Sequence, residues 1–141
     1  ARACVMAGSD IVALDATGRP RLDGLSFAQT VAALREDSTL VMADCGSFED
    51  AQRAVDAGVD IVSTTLAGYT GDRVKTDGPD LELLREVVAA FPDVPVICEG
   101  RVHTPEQAAA AVEAGAFAVI VGTAITHPTS ITTWFKAAVE D

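Results

Sequence analysis

The stretch AGVDIV at residues 57–62 joins two apolar segments, because a glycine ends the first segment and a new apolar run follows almost at once; such joints suit both barrels and doubly wound sheets. The same plan recurs as AGSDIV at residues 7–12 and as AGAFAV at residues 114–119. Glycine is a common residue just past the end of a helix, and a repeated plan indicates a repeated structural unit. The three stretches therefore predict helix-to-strand joints in a repeating architecture.

Short apolar runs recur along the chain, and each is rich in β-branched residues without polar alternation. Such runs are typical of strands that are buried on both faces in a parallel sheet. The predicted strands are residues 11–14, 40–43, 61–63, 94–98 and 117–121.

Segments with helical spacing of apolar residues separate these runs. Three of the segments begin with a hydroxyl residue that precedes an acid or an amide by three positions, which is the signature of a capped helix start. The pairs are Ser26 with Gln29, Ser47 with Asp50, and Thr104 with Gln107. Strands that alternate with helices require right-handed crossovers and a mainly parallel sheet, so we predict the α/β class.

The composition argues against several kinds of partner. The 141 residues include 21 acidic and 10 basic side chains, for a formal net charge of −11, whereas a protein that binds nucleic-acid backbones needs the opposite balance. No apolar run approaches the roughly 18 residues of a membrane helix. Cys4, Cys45 and Cys98 lie far apart without the spacing of metal ligands. We expect a cytoplasmic protein with no nucleic-acid partner, no membrane partner and no metal.

Polar residues stand directly after the predicted strands, which is where parallel barrels place their active sites. These residues are Asp15, Asp44, Thr64, Thr65, Glu99, Gly122 and Thr123. The alternative for Asp15 and Asp44 is that each caps a helix or holds a loop turn. A dinucleotide-binding fold would need a G-x-G-x-x-G turn after its first strand, and the sequence has none.

The stretch VICEGRVHTP at residues 96–105 carries the most chemical information. If Glu99 points into the mouth of a barrel, strand alternation turns Cys98 outward to the helices. Partial burial would tune such an acid for proton transfer near neutral pH. Gly100 lets a ligand approach the backbone, and Arg101 either contacts an anion or pairs with a neighbouring acid.

Two further segments predict ligand contacts. The glycine turn at Gly122, Thr123 and Ala124 precedes a predicted short helix, so its free N–H groups can hold a phosphate. The long connection at residues 64–79 contains Tyr69 and several glycines. It is either a lid over the ligand or an ordinary surface loop.

Several motifs resemble those of the N-acetylmannosamine-6-phosphate 2-epimerases, in the same order and over the whole chain. They are IVALDAT at residues 11–17, VMADC at 41–45, TTLAGYT at 64–70, EGRVHTP at 99–105 and GTAIT at 122–126. The resemblance implies a (β/α)8 TIM barrel of which this chain is an N-terminally incomplete portion, with the C-terminal five parallel strands and their helices. Residues 1–141 would form a single domain, the C-terminal part of a phosphosugar-binding barrel.

The resemblance also implies an isomerase that interconverts N-acetylmannosamine 6-phosphate and N-acetylglucosamine 6-phosphate by proton transfer at C2 of the open-chain sugar. No cofactor and no metal would be needed, the partner would be a small phosphorylated amino sugar, and the complete protein would be a homo-oligomer. Glu99 and Asp44 are the predicted catalytic residues. The predicted substrate-binding residues are Asp15, Thr65, Tyr69, Gly100, Arg101, Gly122, Thr123 and Ala124.

The sequence departs from the family's pattern at two places. His127 stands where the family has an arginine before a proline, which weakens the expected charge clamp on the phosphate. The family's strand-end lysine has no counterpart, because Lys75 falls in the long loop and Lys136 in the last helix. We therefore expect the 141 residues alone to be inactive. The alternatives are a non-catalytic sugar-phosphate-binding or regulatory protein on the same barrel, and another phosphosugar isomerase.

Overall fold

A computed structural model describes residues 1–140 and shows five strands that alternate with helices. The strands are β1 (Ile11–Asp15), β2 (Leu40–Asp44), β3 (Ile61–Ser63), β4 (Val96–Glu99) and β5 (Ala118–Ile120). The helices are α1 (Arg2–Met6), α2 (Phe27–Arg35), α3 (Phe48–Asp56), α4 (Leu81–Ala90), α5 (Pro105–Glu113), α6 (Thr123–Thr126) and α7 (Pro128–Glu140). All five predicted strands are confirmed, with small differences at their ends.

The strands form one sheet in the order β1-β2-β3-β4-β5, and every neighbouring pair is parallel. Each strand therefore lies beside its neighbour in the sequence. A doubly wound sheet reverses its strand order at a switch point, whereas a barrel wall keeps the order of the chain. The prediction of five consecutive units of an α/β barrel is confirmed.

The predicted helix ends are also confirmed. Gly58 and Gly115 follow α3 and α5 with φ angles of 82° and 100°, a left-handed conformation that glycine adopts without steric cost. The side chains of Ser26, Ser47 and Thr104 each accept a hydrogen bond from a backbone N–H in the first turn of the following helix. These stops and starts fix where each strand enters the sheet.

The helices cover one face of the sheet. Val41 and Cys98 on that face are fully buried against residues such as Leu34 of α2 and Leu84 of α4. The opposite face is more open, and two of its side chains, Ile11 and Leu40, are 45% and 46% exposed. Side chains alternate between the faces along each strand. The open face therefore corresponds to the interior of a barrel.

We predict that residues 1–141 produced alone self-associate. Within residues 1–140, β1 pairs only with β2 and β5 only with β4, and unpaired strand edges beside exposed apolar side chains recruit other chains. Light scattering over a dilution series should show particles larger than a monomer. A charged substitution on the open face, Leu40→Lys, should reduce their size, whereas Val112→Lys on the exposed helical surface should not. A folded monomer at all concentrations would contradict the prediction.

None of the helices within the described part of the chain is long and apolar enough to cross a membrane.

Candidate active site at the carboxyl edge of the sheet

The parallel register gathers acidic and hydroxyl side chains at the carboxyl edge of the sheet. Asp15 at the end of β1 lies beside Asp44 at the end of β2, and Asp44 lies beside Ser63 at the end of β3. Residues in register on parallel strands point to the same face. These side chains, with Glu99 at the end of β4, therefore share the open face.

The Thr65 hydroxyl lies between the two predicted catalytic carboxylates. Its Oγ1 is 2.8 Å from Asp44 Oδ1 and 3.1 Å from Glu99 Oε2. Ser63 Oγ lies 2.7 Å from Thr65 Oγ1 and 3.4 Å from Glu99 Oε2. We call Asp44, Ser63, Thr65 and Glu99 the carboxylate cluster. Asp44 and Glu99, which are 55 positions apart in the chain, are thus joined through the Thr65 hydroxyl.

The backbone of Glu99 is held by the neighbouring Thr64. The Glu99 N–H donates to Thr64 Oγ1 at 3.1 Å, and the Thr64 hydroxyl donates back to the Glu99 carbonyl at 3.0 Å. Thr64 is buried, as is Cys98 on the helix side of β4. The expected alternation is confirmed, because Cys98 faces the helices and Glu99 faces the open side. This fixed backbone limits the positions that the Glu99 carboxylate can take.

The surroundings of Asp44 raise the pKa of its carboxyl group. Burial raises the pKa of Asp44 above 3.8, the Thr65 hydrogen bond opposes this rise, and the charges of Glu99 and Asp15 add to it. Burial and like charges both disfavour the ionised form of a carboxyl group. Asp44 is therefore easier to protonate than an ordinary aspartate, which suits a group that takes part in proton transfer.

We predict that Asp44→Asn stabilises the folded protein at neutral pH. The pKa of Asp44 is raised on folding, so the native state binds this proton more tightly than the unfolded chain does. In the parent, the contribution of protonated Asp44 to folding stability is fully present below pH 3.8. This contribution is lost as the pH rises through the folded pKa, so the parent is the less stable protein at pH 7. Denaturant unfolding should show the variant as more stable than the parent at pH 7, with the gain shrinking as the pH approaches 3.8. Asp56→Asn on the surface of α3 is the control, and an equal gain there would contradict the account.

Asp15 lies beside Asp44 but is bound to its own loop. Its Oδ1 accepts hydrogen bonds from the Thr17 N–H at 2.9 Å and the Thr17 hydroxyl at 2.6 Å, and its Oδ2 accepts from Arg19. Burial alone would raise the pKa of Asp15, but these hydrogen bonds and the Arg19 charge outweigh it and hold the pKa below 3.8. These contacts support the alternative interpretation of Asp15, in which its side chain holds a loop turn. Its contact with substrate stays a prediction.

A cleft of about 240 Å³ opens beside the carboxylate cluster. It includes seven of the ten predicted site residues, whereas Asp15, Asp44 and Ala124 lie outside its lining. The lining consists of Thr65, Tyr69, Glu99, Gly100, Arg101, Val102, His103, Ile120, Gly122 and Thr123. A larger cavity of about 810 Å³ lies over the β1–α2 connection and contains none of the cluster residues. The smaller cleft is the candidate active site, because it is the one that Glu99 and Thr65 reach.

Arg101 holds the long β3–α4 connection rather than pointing freely into the cleft. Its guanidinium donates to the Ala67 carbonyl at 2.7 Å, the Gly78 carbonyl at 3.1 Å and the Thr76 hydroxyl at 3.0 Å. Its backbone has a φ of 57°, which is uncommon for a residue with a side chain. The guanidinium also lies 5.1 Å from the centre of the Tyr69 ring. These contacts hold in place residues 67–78, of which Tyr69 lines the cleft.

The connection has a second anchor at its far end. Arg73 donates two hydrogen bonds to Asp80, at 2.7 and 3.1 Å, and Asp80 caps α4 by accepting from the Leu83 N–H. Burial alone would raise the pKa of Asp80, but the bonds and charge of Arg73 hold it below 3.8. Lys75, the lysine in this connection, has its Nζ 5.1 Å from the Tyr69 ring centre. The lysine is thus in a loop, as the sequence predicted.

The glycine turn lines the same cleft as Tyr69. Gly122 caps α6, and the first amides of a helix have no partner within it. Thr123 lines the cleft, whereas Ala124 lies one residue beyond its lining. His127 is turned toward α7, where its Nδ1 lies 2.7 Å from Ser130 Oγ. His127 is therefore part of a helix start and not of the cleft wall.

Ser63 was missed by the sequence-based prediction of the site, and Thr64 was named at the strand ends without a role. Ser63 is buried and contacts both Thr65 and Glu99, and Thr64 fixes the Glu99 backbone. The signal for Ser63 was available, because alternation places residues two apart on the same face. The contact of Thr64 with Glu99 could not be found in this way, because Glu99 lies on the next strand and the contact depends on the register.

The described residues contain no group of three or more His, Cys, Asp or Glu side chains that could hold a metal ion.

These features define the chain as five units of a (β/α) barrel with a carboxylate site at the carboxyl edge of its sheet. Comparison with known families gives a more particular result. The family NanE, described as "Putative N-acetylmannosamine-6-phosphate epimerase", matches residues 2–141, and the chain belongs to this family.

Individual relatives agree with the family match. The chain is 58% identical over 140 residues to a "Putative N-acetylmannosamine-6-phosphate 2-epimerase" of Cutibacterium acnes, covering 98% of this chain and 61% of that protein. It is 48% identical over 136 residues to a protein of the same description from Corynebacterium glutamicum (strain R), covering 96% and 59%. The chain thus spans about three fifths of the length of these relatives.

A solved structure supports the fold directly. The structure of the N-acetylmannosamine-6-phosphate 2-epimerase from Clostridium perfringens superposes with a TM-score of 0.92 at 40% identity. The superposition covers 96% of this chain and 58% of that one. The five units described above therefore have the same arrangement in that enzyme.

Proposed function

We propose that the protein interconverts N-acetylmannosamine 6-phosphate and N-acetylglucosamine 6-phosphate. The proposal rests on the activity named for its relatives and on the chemistry of the carboxylate cluster. The observation that supports it most is that Asp44 and Glu99 both lie at hydrogen-bond distance from the Thr65 hydroxyl. Thr65 and Glu99 line a cleft that the glycine turn also lines. Acid/base chemistry and an anion-binding turn are the two elements that this reaction needs.

The reaction changes the configuration at C2 of the sugar. The C2 proton is acidic only when the ring is open, because an aldehyde then stands beside it and its carbonyl oxygen can hold the developing negative charge. The enzyme must open the ring, remove the proton and return a proton to the opposite face. Glu99 lines the cleft, so we assign it to proton transfer at C2. Asp44 supports Glu99 through the Thr65 hydroxyl.

The phosphate of the substrate would bind at the glycine turn. Backbone N–H groups at the start of α6 form a local anion site even in a chain with a net charge of −11. Holding the phosphate fixes the sugar so that C2 faces Glu99, and positioning of this kind supplies a large part of many rate enhancements. Tyr69 and Gly100 would contact the sugar between these two points.

Other properties of the protein are part of the same proposal. Residues 1–141 would act as a single domain of the barrel, and the active protein would be a cytoplasmic homo-oligomer. No cofactor enters the proposed chemistry, because each step moves only protons.

The test is conversion of N-acetylmannosamine 6-phosphate by the protein at its natural full length, followed by proton NMR. We expect the N-acetylglucosamine epimer to appear until equilibrium is reached, and the rate to be unchanged after dialysis against EDTA. N-acetylmannosamine without its phosphate is the matched control and should react far more slowly. Tight binding of the phosphosugar without conversion would instead favour a binding or regulatory protein.

A further inference from the structure

A large cavity lies apart from the carboxylate cluster and is lined by several basic side chains. It has a volume of about 810 Å³ and extends from the β1–α2 connection to the start of α2 and the C-terminal half of α3. Three of the 10 basic side chains of the protein line it, namely Arg19, Arg21 and Arg53. We call this space the arginine cavity. Its volume is within the range of small-molecule sites, which is about 300–1,000 Å³.

The arginine cavity also has apolar walls. Leu25, which lines it, is 44% exposed to solvent. Asp56 is an acid in the lining, and its carboxylate accepts a hydrogen bond from the Gln52 amide at 3.0 Å. Apolar walls with a few polar groups are typical of sites that bind small molecules. The apolar lining residues are Pro20, Leu25, Phe27, Ala28 and Ala57.

Two of the three arginines already have acidic partners. The guanidinium of Arg19 donates to the Asp15 carboxylate, and that of Arg53 donates to the Asp50 carboxylate. These ion pairs hold both guanidinium groups in place beside the cavity, and they neutralise much of the positive charge of both side chains. Any site for an anion therefore depends mainly on the third arginine.

Arg21 has one edge of its guanidinium free. Its Nη1 donates to the Asp15 carbonyl oxygen at 3.1 Å. The Asp23 carboxylate is 3.9 Å from Nε, which is beyond hydrogen-bond distance. Among residues 1–140, Nε is buried without a hydrogen-bond partner, and Nη2 makes no hydrogen bond. Nε and Nη2 together form an edge that binds a carboxylate or a phosphate through two parallel hydrogen bonds.

A free guanidinium edge of this kind disfavours the folded state. The Arg21 side chain is only 21% exposed, and a buried charged group is ordinarily paired and hydrogen-bonded. An anion that bonds to Nε and Nη2 would supply both the missing hydrogen-bond acceptors and the missing charge. Arginine suits this role because its planar donors match the geometry of carboxylate and phosphate oxygens.

We propose that the arginine cavity binds a small molecule that has a phosphate or carboxylate group on an apolar body. Arg21 binds two oxygens of the anionic group through Nε and Nη2, after a small turn of its side chain presents this buried edge to the cavity. Arg19 and Arg53 supply further positive charge, and the apolar walls cover the body of the ligand. The site is separate from the glycine turn at Gly122, and the inference does not rest on the proposed function.

The test measures the binding of phenyl phosphate to the natural full-length protein by isothermal titration calorimetry. Phenylacetate is the carboxylate counterpart, and inorganic phosphate is the probe without an apolar body. We expect phenyl phosphate to bind and to slow amide hydrogen exchange in residues 16–29, which contain most of the lining. Inorganic phosphate should bind more weakly. The tighter of the two phenyl probes identifies the anionic group that the site prefers.

Two variants locate the binding. Arg21→Gln should weaken it by about tenfold or more, since hydrogen bonds with a charged partner contribute that much. Ala28→Glu places a negative charge in the lining and should weaken it similarly. Because an acid in the first turn favours a helix, Ala28→Glu keeps the test available if Arg21→Gln does not fold. Arg85→Gln on α4 and Ala109→Glu on α5, both at exposed positions, are the controls and should bind like the parent.

Three outcomes would overturn the inference. Equal binding by the parent and by both cavity variants would do so, as would slower exchange confined to residues 122–126, which would place the anion at the glycine turn. A parent that binds neither phenyl probe would show that the cavity is not a small-molecule site. None of these measurements requires turnover, so a failure of the proposed function would be seen separately, in the epimerisation assay.

Discussion

Replacement of Glu99 by glutamine is expected to lower kcat by about 10²- to 10⁴-fold, the usual contribution of a general acid or base. Glutamine keeps the shape of the side chain and its contact with the cluster but cannot take the C2 proton. The Thr64 bonds to the Glu99 backbone do not involve the side chain, so the local structure should persist. Steady-state kinetics of the natural full-length protein measure the effect.

The binding of substrate should survive this substitution. The phosphate is expected at the Gly122 turn and not at Glu99, so the Kd for N-acetylglucosamine 6-phosphate should stay within a few-fold of the parent value. Glu113→Gln on the exposed surface of α5 is the control and should change neither quantity. Activity of Glu99→Gln close to that of the parent would make Glu99 a structural acid and would place the reaction elsewhere.

Replacement of Arg101 by alanine is expected to release the β3–α4 connection. Three hydrogen bonds from the guanidinium are lost, and hydrogen bonds with a charged partner contribute about 1.5–3 kcal/mol each. Because every 1.4 kcal/mol is about a factor of ten, a loss of even one such increment in local stability should speed amide exchange in residues 67–78 by at least about tenfold. KM should rise, since the connection carries Tyr69, which lines the cleft.

Hydrogen exchange followed by mass spectrometry can localise this effect. Arg101→Lys keeps the charge but not the three-way fork of donors, so it should resemble Arg101→Ala if the fork is what holds the connection. Arg85→Ala, on the exposed side of α4, is the control. Unchanged exchange in residues 67–78 together with weaker phosphate binding would show that Arg101 contacts the substrate instead.

The sequence was sufficient to predict the fold because each signal is local. A strand of buried β-branched residues, a glycine after a helix and a hydroxyl at a helix start each depend on a few neighbouring residues, as the caps at Ser26 and Thr104 show. Parallel order then follows from the alternation of strands and helices. The strand ends depend on pairing between strands, which explains the small differences there.

The site was predicted in part, and the missing part depends on contacts across strands. The sequence placed Asp44, Thr65 and Glu99 at one edge of the sheet, but it could not show that one hydroxyl joins them. Arg101 was predicted either to contact an anion or to pair with an acid, and its observed partners are two carbonyl oxygens and a hydroxyl of the β3–α4 connection. Side-chain partners at such distances along the chain are set by tertiary packing alone.

We propose that the carboxylate cluster moves the C2 proton of a phosphorylated amino sugar. The most direct measurement is deuterium incorporation at C2 during the reaction of N-acetylmannosamine 6-phosphate in D2O, followed by proton NMR and mass spectrometry. A cleft that opens to solvent beside the Glu99 side chain predicts deuterium at C2 of both epimers with the parent protein, and a rate of incorporation that falls with Glu99→Gln. Interconversion of the epimers without deuterium at C2, or incorporation that is unaffected by Glu99→Gln, would contradict the account.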